Sequence, residues 1–325
     1  MDHLPTVPGA PRGHHSFGFG GWGLAMTAMG LSSVLVSASE DGGNALDRRP
    51  FTWTPCPIKP VLPSGPPGSW DENTRERMWV IHQDGRYDAW YAGWKGPYDK
   101  TRPKLAQLGY ATSKDGVHWS KHPGNPIFTD RWTEDMCVVK DGDTYYMYAE
   151  DESFDRTVIH LLVSKDKVHW TPLGNVLESE PANAWEKGWV GTPLVWKEGA
   201  RWHMLYEGGP PGDIALATSK DGRHWTRNPR NPVLTEGTGW EDRAVAPDSL
   251  IKLNGQYYLF YHACGGRWQS GLATSQDLIH WNRHPGNPIV PEPSPVLVDA
   301  PDRYLLYVHD TKAEPLGVYL YVSPK

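Results

Sequence analysis

The 325-residue chain has little cysteine, little phenylalanine and no concentrated positive charge. Its three cysteines, Cys56, Cys137 and Cys264, form no CxxC pair, so no structural zinc site is expected. Their odd number leaves at least one thiol unpaired if the chain is exported. Lys and Arg total 32 against 38 Asp and Glu, a net charge of −6, and no basic block occurs. Nucleic acid, which requires clustered cations on the phosphate backbone, is thereby excluded as a partner. Only one stretch is long and apolar. Residues 22–38 (WGLAMTAMGLSSVLVSA) carry no charge, follow Arg12 and end in the small-residue run Val36-Ser37-Ala38. This reads as a signal peptide over 1–38 with a linker over 39–50. The alternative, a membrane anchor, is disfavoured by the run's short length and its Gly and Ser. A secreted or periplasmic protein follows, with no membrane contact after cleavage.

What the chain has instead is 17 Trp, 15 Tyr, 34 Gly and 30 Pro. Such a mixture suits many short strands joined by tight turns. Four segments repeat: 110–128 (YATSKDGVHWSKHPGNPIF), 161–177 (LLVSKDKVHWTPLGNVL), 216–234 (LATSKDGRHWTRNPRNPVL) and 273–290 (ATSQDLIHWNRHPGNPIV). Their tryptophans, Trp119, Trp170, Trp225 and Trp281, are 51, 55 and 56 residues apart. A strand-rich period near fifty predicts the blades of a β-propeller. Each unit reads as four antiparallel strands: an apolar run, a Gly turn, an aromatic strand, the ATSKDG strand and the HW strand. A further unit precedes these at Met78–Trp119. A last one, at 303–323, stops after its third strand. Its fourth strand is expected at the other end of the domain. Trp53 is followed after seven residues by Pro60, the offset seen from Trp119 to Pro126 and from Trp225 to Pro232. The expectation is an all-β five-bladed propeller over 51–325, its ring closed by 51–62 and its sheet edges removed.

Asp115, Asp166, Asp221 and Asp277 recur in one hairpin turn, and His118, His169, His224 and His280 recur beside the tryptophans. A site on a propeller axis is asymmetric, so residues present in every blade are assigned to architecture. The S-x-D-G-x-x-W run is similar to the Asp-box of sialidases, but the Pro-Gly-Asn-Pro tail and the lack of an evident arginine triad argue against that class. Function is sought where blades differ, at the start of strand one and the end of strand two. Carboxylates from different blades converging on one rim suit glycosidic bond cleavage, in which one protonates the leaving oxygen and another activates water or attacks. On this basis Asp135 and Glu207 are the expected key carboxylates, with Asp248 and Glu150 in support. Glu134, His262, His309, Arg243 and Trp94 are assigned to sugar binding. Asp71, in the Trp70-Asp71 pair that recurs as Trp185-Glu186 and Trp240-Glu241, is an additional candidate in blade one. For each single carboxylate, a capping or turn role stands beside the functional one.

The ATSKDGVHW…HPGNPIF repeats and the E-D-x-x-V-x-x-D-G-x-Y-Y-M run at Glu134–Met147 resemble the five-bladed glycoside hydrolases of families 43, 32, 68 and 130 and their relatives. The resemblance spans 51–325. It implies a carbohydrate substrate, an aspartate at the start of a blade's first strand, matched by Asp135, and an acid within Glu134-Asp135, where family 130 has Glu-Asp-Pro-Arg. Leu259–His262 (LFYH) is similar to that family's strand end, where a histidine helps bind phosphate. Family 32 patterns are absent, so a fructosidase is not expected. The Glu-Gly-Pro acid motif of family 43 is replaced by Gly191-Thr192-Pro193, and the blade-one aspartate by Arg75-Glu76-Arg77. The expected function is thus a secreted, monomeric, arabinofuranosidase-like or related glycoside hydrolase. Its alternatives are a phosphorylase on the same scaffold and a propeller that binds glycan without cleaving it. No cofactor and no catalytic metal are expected. A structural calcium or sodium ion in the axial channel is allowed by the resemblance but demanded by no ligand spacing.

Overall fold

The computed structural model describes residues 51–102, 104–153, 157–180, 182–209, 212–310 (the side chain of Asp310 excepted) and 315–325. The signal peptide and linker expected over 1–50 lie outside the described residues.

The described chain is β throughout, apart from two single turns of 3-10 helix at Ala184–Glu186 and Gly239–Glu241. Blade one comprises Asn73–Gln83, Arg86–Trp94, Gln107–Ser113 and Trp119–Lys121. Blade two comprises Glu134–Asp141, Thr144–Asp151, Val158–Ser164 and Thr171–Leu177. Blade three comprises Val190–Glu198, Arg201–Gly208, Asp213–Ser219 and Trp225–Arg227. Blade four comprises Ala244–Leu253, Gln256–Cys264, Trp268–Ser275 and Asn282–Arg283. Blade five comprises Val296–Asp299, Arg303–Asp310 and Gly317–Pro324, completed from the other end by Thr54–Pro55 and Leu62–Pro63. First strands of neighbouring blades touch all the way round, blade five against blade one included. This is the five-bladed propeller with the expected closure.

The recurrent residues hold the blades. Ser113 Oγ donates to Asp115 Oδ1 at 3.0 Å, and Asp115 Oδ2 meets His118 Nδ1 at 2.7 Å. The same lock recurs at Asp166, Asp221 and Asp277. Three of the blade junctions are tied by an aromatic donor reaching the next hairpin: Trp90 to the Lys167 carbonyl, Tyr148 to Gly222 and Tyr307 to Gly116. Blade four faces a blade with no such hairpin. There Phe260, which has no hydroxyl to satisfy, packs edge-on against Phe51 at 5.2 Å. The Thr52 amide donates to Ser323 Oγ at 2.8 Å, standing in for the absent turn.

Candidate active site

The first strands of blades one to four begin with a break in register: between Arg75 and Trp79, Glu134 and Cys137, Gly191 and Leu194, and Pro247 and Ser249. Such bulges re-aim side chains. At these breaks and at the corresponding point of blade five, Glu76, Asp135, Thr192 and Ser294 have φ of 63°, 47°, 46° and 58°. Left-handed backbone is costly for residues other than glycine, most of all for β-branched Thr192, and such strain gathers at functional sites. Blade four carries Pro247 here, whose ring forbids positive φ. Its bulge instead presents Asp248.

Facing these starts are the ends of strand two, including Glu150, Glu207 and His262. Together they enclose a cavity of about 480 Å³. Blade one contributes Arg75 and Glu76, and blade two contributes Asp135, Glu150 and Glu152. Thr192 and Glu207 come from blade three and His262 from blade four, and Trp189 and Trp268 form aromatic walls. Trp268 is 43% exposed.

Thr192 ties two carboxylates together. Its amide donates to Glu150 Oε2 at 2.7 Å, and its hydroxyl donates to Glu207 Oε2 at 2.8 Å. A Cβ on neighbouring Gly191 would collide with the Glu150 carboxylate, so any other residue here would displace that carboxylate from its place. Where the resemblance places a blade-three acid, the chain therefore leaves room for Glu150 of blade two. Burial pushes Glu207 up to about 7, reinforced by Asp135 and Glu152 and opposed by His262 and Thr192. Burial, with the charges of Asp135, Glu134 and Glu207, holds Glu150 well above the usual carboxylate range. Burial likewise raises Glu134 and Glu152 to about 7, against the pull of Arg75. His262 is raised: burial opposes its charge, but Asp248, whose Oδ2 lies 2.8 Å from Nδ1, outweighs it.

Asp135, Glu150, Glu207 and His262 thus meet at one cavity, while the remaining sequence-selected residues do not line it. Asp248 lies behind His262, fully buried. Glu134 is buried beside Glu150 and Glu152, the three offering carboxylate oxygens within 4.8 Å of one another. Lys100 pairs with Glu152 there and Arg75 adds positive charge, so this cluster has protein cations as counter-ions. His309 Nε2 lies 3.1 Å from Thr74 Oγ1. Trp94 packs on Tyr98 in a local apolar cluster. Arg243 is exposed, its amide bonded to the Cys264 carbonyl. Asp71 accepts from Lys121 Nζ at 2.6 Å and Tyr91 at 3.3 Å. Glu186 with Tyr206 and Arg227, and Glu241 with Tyr261 and Arg283, repeat that arrangement, so Asp71 is a blade clamp. Sequence reasoning passed over Glu152, Trp189, Thr192 and Trp268 as site residues. The two tryptophans do fall outside the repeat, which was the available signal.

A five-bladed propeller with carboxylates gathered at one end of its inner strands is the architecture of the propeller glycoside hydrolase superfamily, and the chain resembles that superfamily in sequence as well. No family model matches the chain. It is 29% identical over 217 residues to the 1,2-beta-oligomannan phosphorylase of Thermoanaerobacter sp. strain X514, covering 63% of this chain and 69% of that protein. It is 28% identical over 197 residues to an uncharacterized protein of Mycobacterium tuberculosis, covering 58% of this chain and 60% of that relative's length. In structure it is similar to the beta-1,2-mannobiose phosphorylase of Listeria innocua, with a TM-score of 0.63 at 16% identity over 84% of this chain and 96% of the other. A second structure, described with the family 130 mannoside phosphorylases and the glycoside hydrolases among them, gives 0.66 at 15% identity over 84% and 93%. At these identities the structural likeness speaks for the fold.

Proposed function

We propose that the protein is an exported glycoside hydrolase that takes the end of a small oligosaccharide into the cavity between Trp189 and Trp268. The carrying observation is that Glu207, pushed up to about 7, shares one cavity with Asp135. Glu207 gives its proton to the leaving oxygen. Asp135, with the Arg77 guanidinium 3.8 Å away, activates water or attacks the sugar. Glu150 orients the sugar through hydrogen bonds. The ring faces of Trp189 and Trp268 suit the apolar side of a sugar.

Above about pH 7, charge disfavours phosphate as the acceptor. Among the described lining residues, Glu76, Asp135, Glu150, Glu152 and Glu207 outnumber the cations Arg75 and His262. Arg75 pairs with Glu76 while also facing Glu134 and Glu152, and His262 pairs with Asp248. Once pH rises above about 7 and the raised glutamates ionise, a phosphate dianion entering this cavity meets net repulsion. Phosphorolysis remains the second reading because of the sequence relative that is a phosphorylase and the strand-end histidine at 262.

The test is release of sugar from aryl glycosides and oligosaccharides, β-1,2-mannobiose and arabinofuranosides included, with and without phosphate. Release is expected without phosphate, falling by about 10²–10⁴-fold in Asp135→Asn and in Glu207→Gln. Strict phosphate dependence would replace this reading with the phosphorylase.

A further inference from the structure

Arg77 enters the axis from blade one with its side chain fully buried. Nη1 donates to the Pro193 carbonyl of blade three at 2.8 Å and to the Asp248 carbonyl of blade four at 3.3 Å. Nε lies 3.8 Å from Asp135 Oδ1 of blade two and 3.9 Å from Asp248 Oδ1. The Arg77 amide also points to Asp135 Oδ1, at 3.4 Å. One side chain thus touches three other blades. Nε and Nη2 nevertheless form no hydrogen bond with the described residues. Burying a guanidinium so loosely paired is costly, and apolar side chains of similar volume often serve a core as well or better. Packing therefore does not account for it.

We infer that Arg77 is a positioning residue, an axial cation that favours the charged form of Asp135 beside Glu207 in the cavity. The inference rests on the hydrolase reading, in which one carboxyl must carry a proton and the other must not. Facing Asp135 are Arg77 from blade one, Glu134 and Glu150 from blade two, Glu207 from blade three, and Asp248 and His262 from blade four. Those of the carboxyls that are ionised repel a charge on Asp135. His262 is engaged by Asp248. Arg77 is a cation within 4 Å of Asp135 that cannot deprotonate. No ion pair joins Arg77 to Glu207 among the described residues, so its field is stronger at Asp135 than at Glu207.

The experiment is a carbon-13 NMR titration of the aspartate carboxyls in the full chain, the Asp135 signal being assigned by its loss in D135N. In R77Q the Asp135 midpoint is expected to rise by about one to three pH units, and in R77K to stay near its original position. R77M, apolar and of similar length, replaces R77Q if the latter does not fold. An Asp135 midpoint unmoved in the uncharged variant overturns the inference. This readout needs no turnover, so it stands apart from any failure of the hydrolase reading. With a substrate in hand, the acidic limb of kcat/KM should move with the midpoint while the alkaline limb stays. A uniform loss of rate with both limbs fixed would reduce Arg77 to a structural part.

Discussion

Thr192 tempers the effect of burial on Glu207. Its hydroxyl donates to the carboxylate at 2.8 Å, and a hydrogen bond to the charged form favours that form. Glu207 therefore lies lower than burial alone would put it. As general acid it must be protonated, so activity should fall as pH rises through about 7. Thr192→Val keeps the β-branched shape and removes the donor. The alkaline limb of the pH–rate profile should then move upward, by on the order of one pH unit. The check is kcat/KM from pH 4.5 to 9 for both proteins. A limb that stays in place or moves down would mean that the acid is another group, Glu150 being the next to examine.

At the scale of the blade, buried carboxylates divide into clamps and tools. Glu186 and Glu207 both lie in blade three and are both hidden from solvent. Glu186 answers Arg227 Nε at 2.8 Å and the Tyr206 hydroxyl at 2.9 Å. Glu207 has Thr192 and an open cavity. Removing one partner of a buried ion pair leaves the other charge stranded, so Glu186→Ala should cost about 3–5 kcal/mol. Urea unfolding would measure it, and the alkaline limb of the rate profile should not move. This division also explains how much was legible in the sequence. Hairpin locks recur in four blades and clamps in three because those blades solve the same packing problem, and their Asp, His and Trp therefore announced a propeller. Asp135, Glu150, Glu207 and His262, which line the cavity, stood out because they break that repeat at equivalent positions. Asp71, which does not line it, was grouped with them because a clamp and a cavity carboxylate use the same residue type. Arg77 was read only as part of a departure from the family pattern. The register break of blade one, between Arg75 and Trp79, is wider than in the other blades, and alternation along a strand cannot foretell which way such a bulge turns a side chain. Glu152, Trp189 and Trp268 sit just outside the aligned strands, where no repeat gave them a reference.

Across the whole molecule, the carboxyls of the site set the pH range of the fold. Glu134, Glu152 and Glu207 are raised to about 7 and Glu150 well above its ordinary value, all chiefly by burial, from an ordinary value of 4.5. A carboxyl raised on folding binds its proton more tightly in the native state than in the unfolded chain. The stability it contributes is complete below its unfolded value and is lost as pH rises through the folded one. Asp166, Asp221 and Asp277 work in the opposite sense. Backbone amides and the histidines of their hairpins hold them low, so their contribution is present above 3.8 and lost only in stronger acid. By pH 5 that contribution is nearly complete, and it cannot offset what the buried glutamates lose above it. The melting temperature should therefore decline from pH 5 to pH 8. Each glutamate raised to about 7 accounts for on the order of 2–3 kcal/mol before their mutual coupling is considered. Glu150→Gln, which keeps the shape and abolishes the titration, should flatten the decline and leave the variant more stable than the parent at pH 8. Differential scanning calorimetry at fixed ionic strength measures both. A melting temperature level or rising from pH 5 to 8 would mean that these carboxylates are ionised in the folded protein, and the proton assigned to Glu207 would be lost with them.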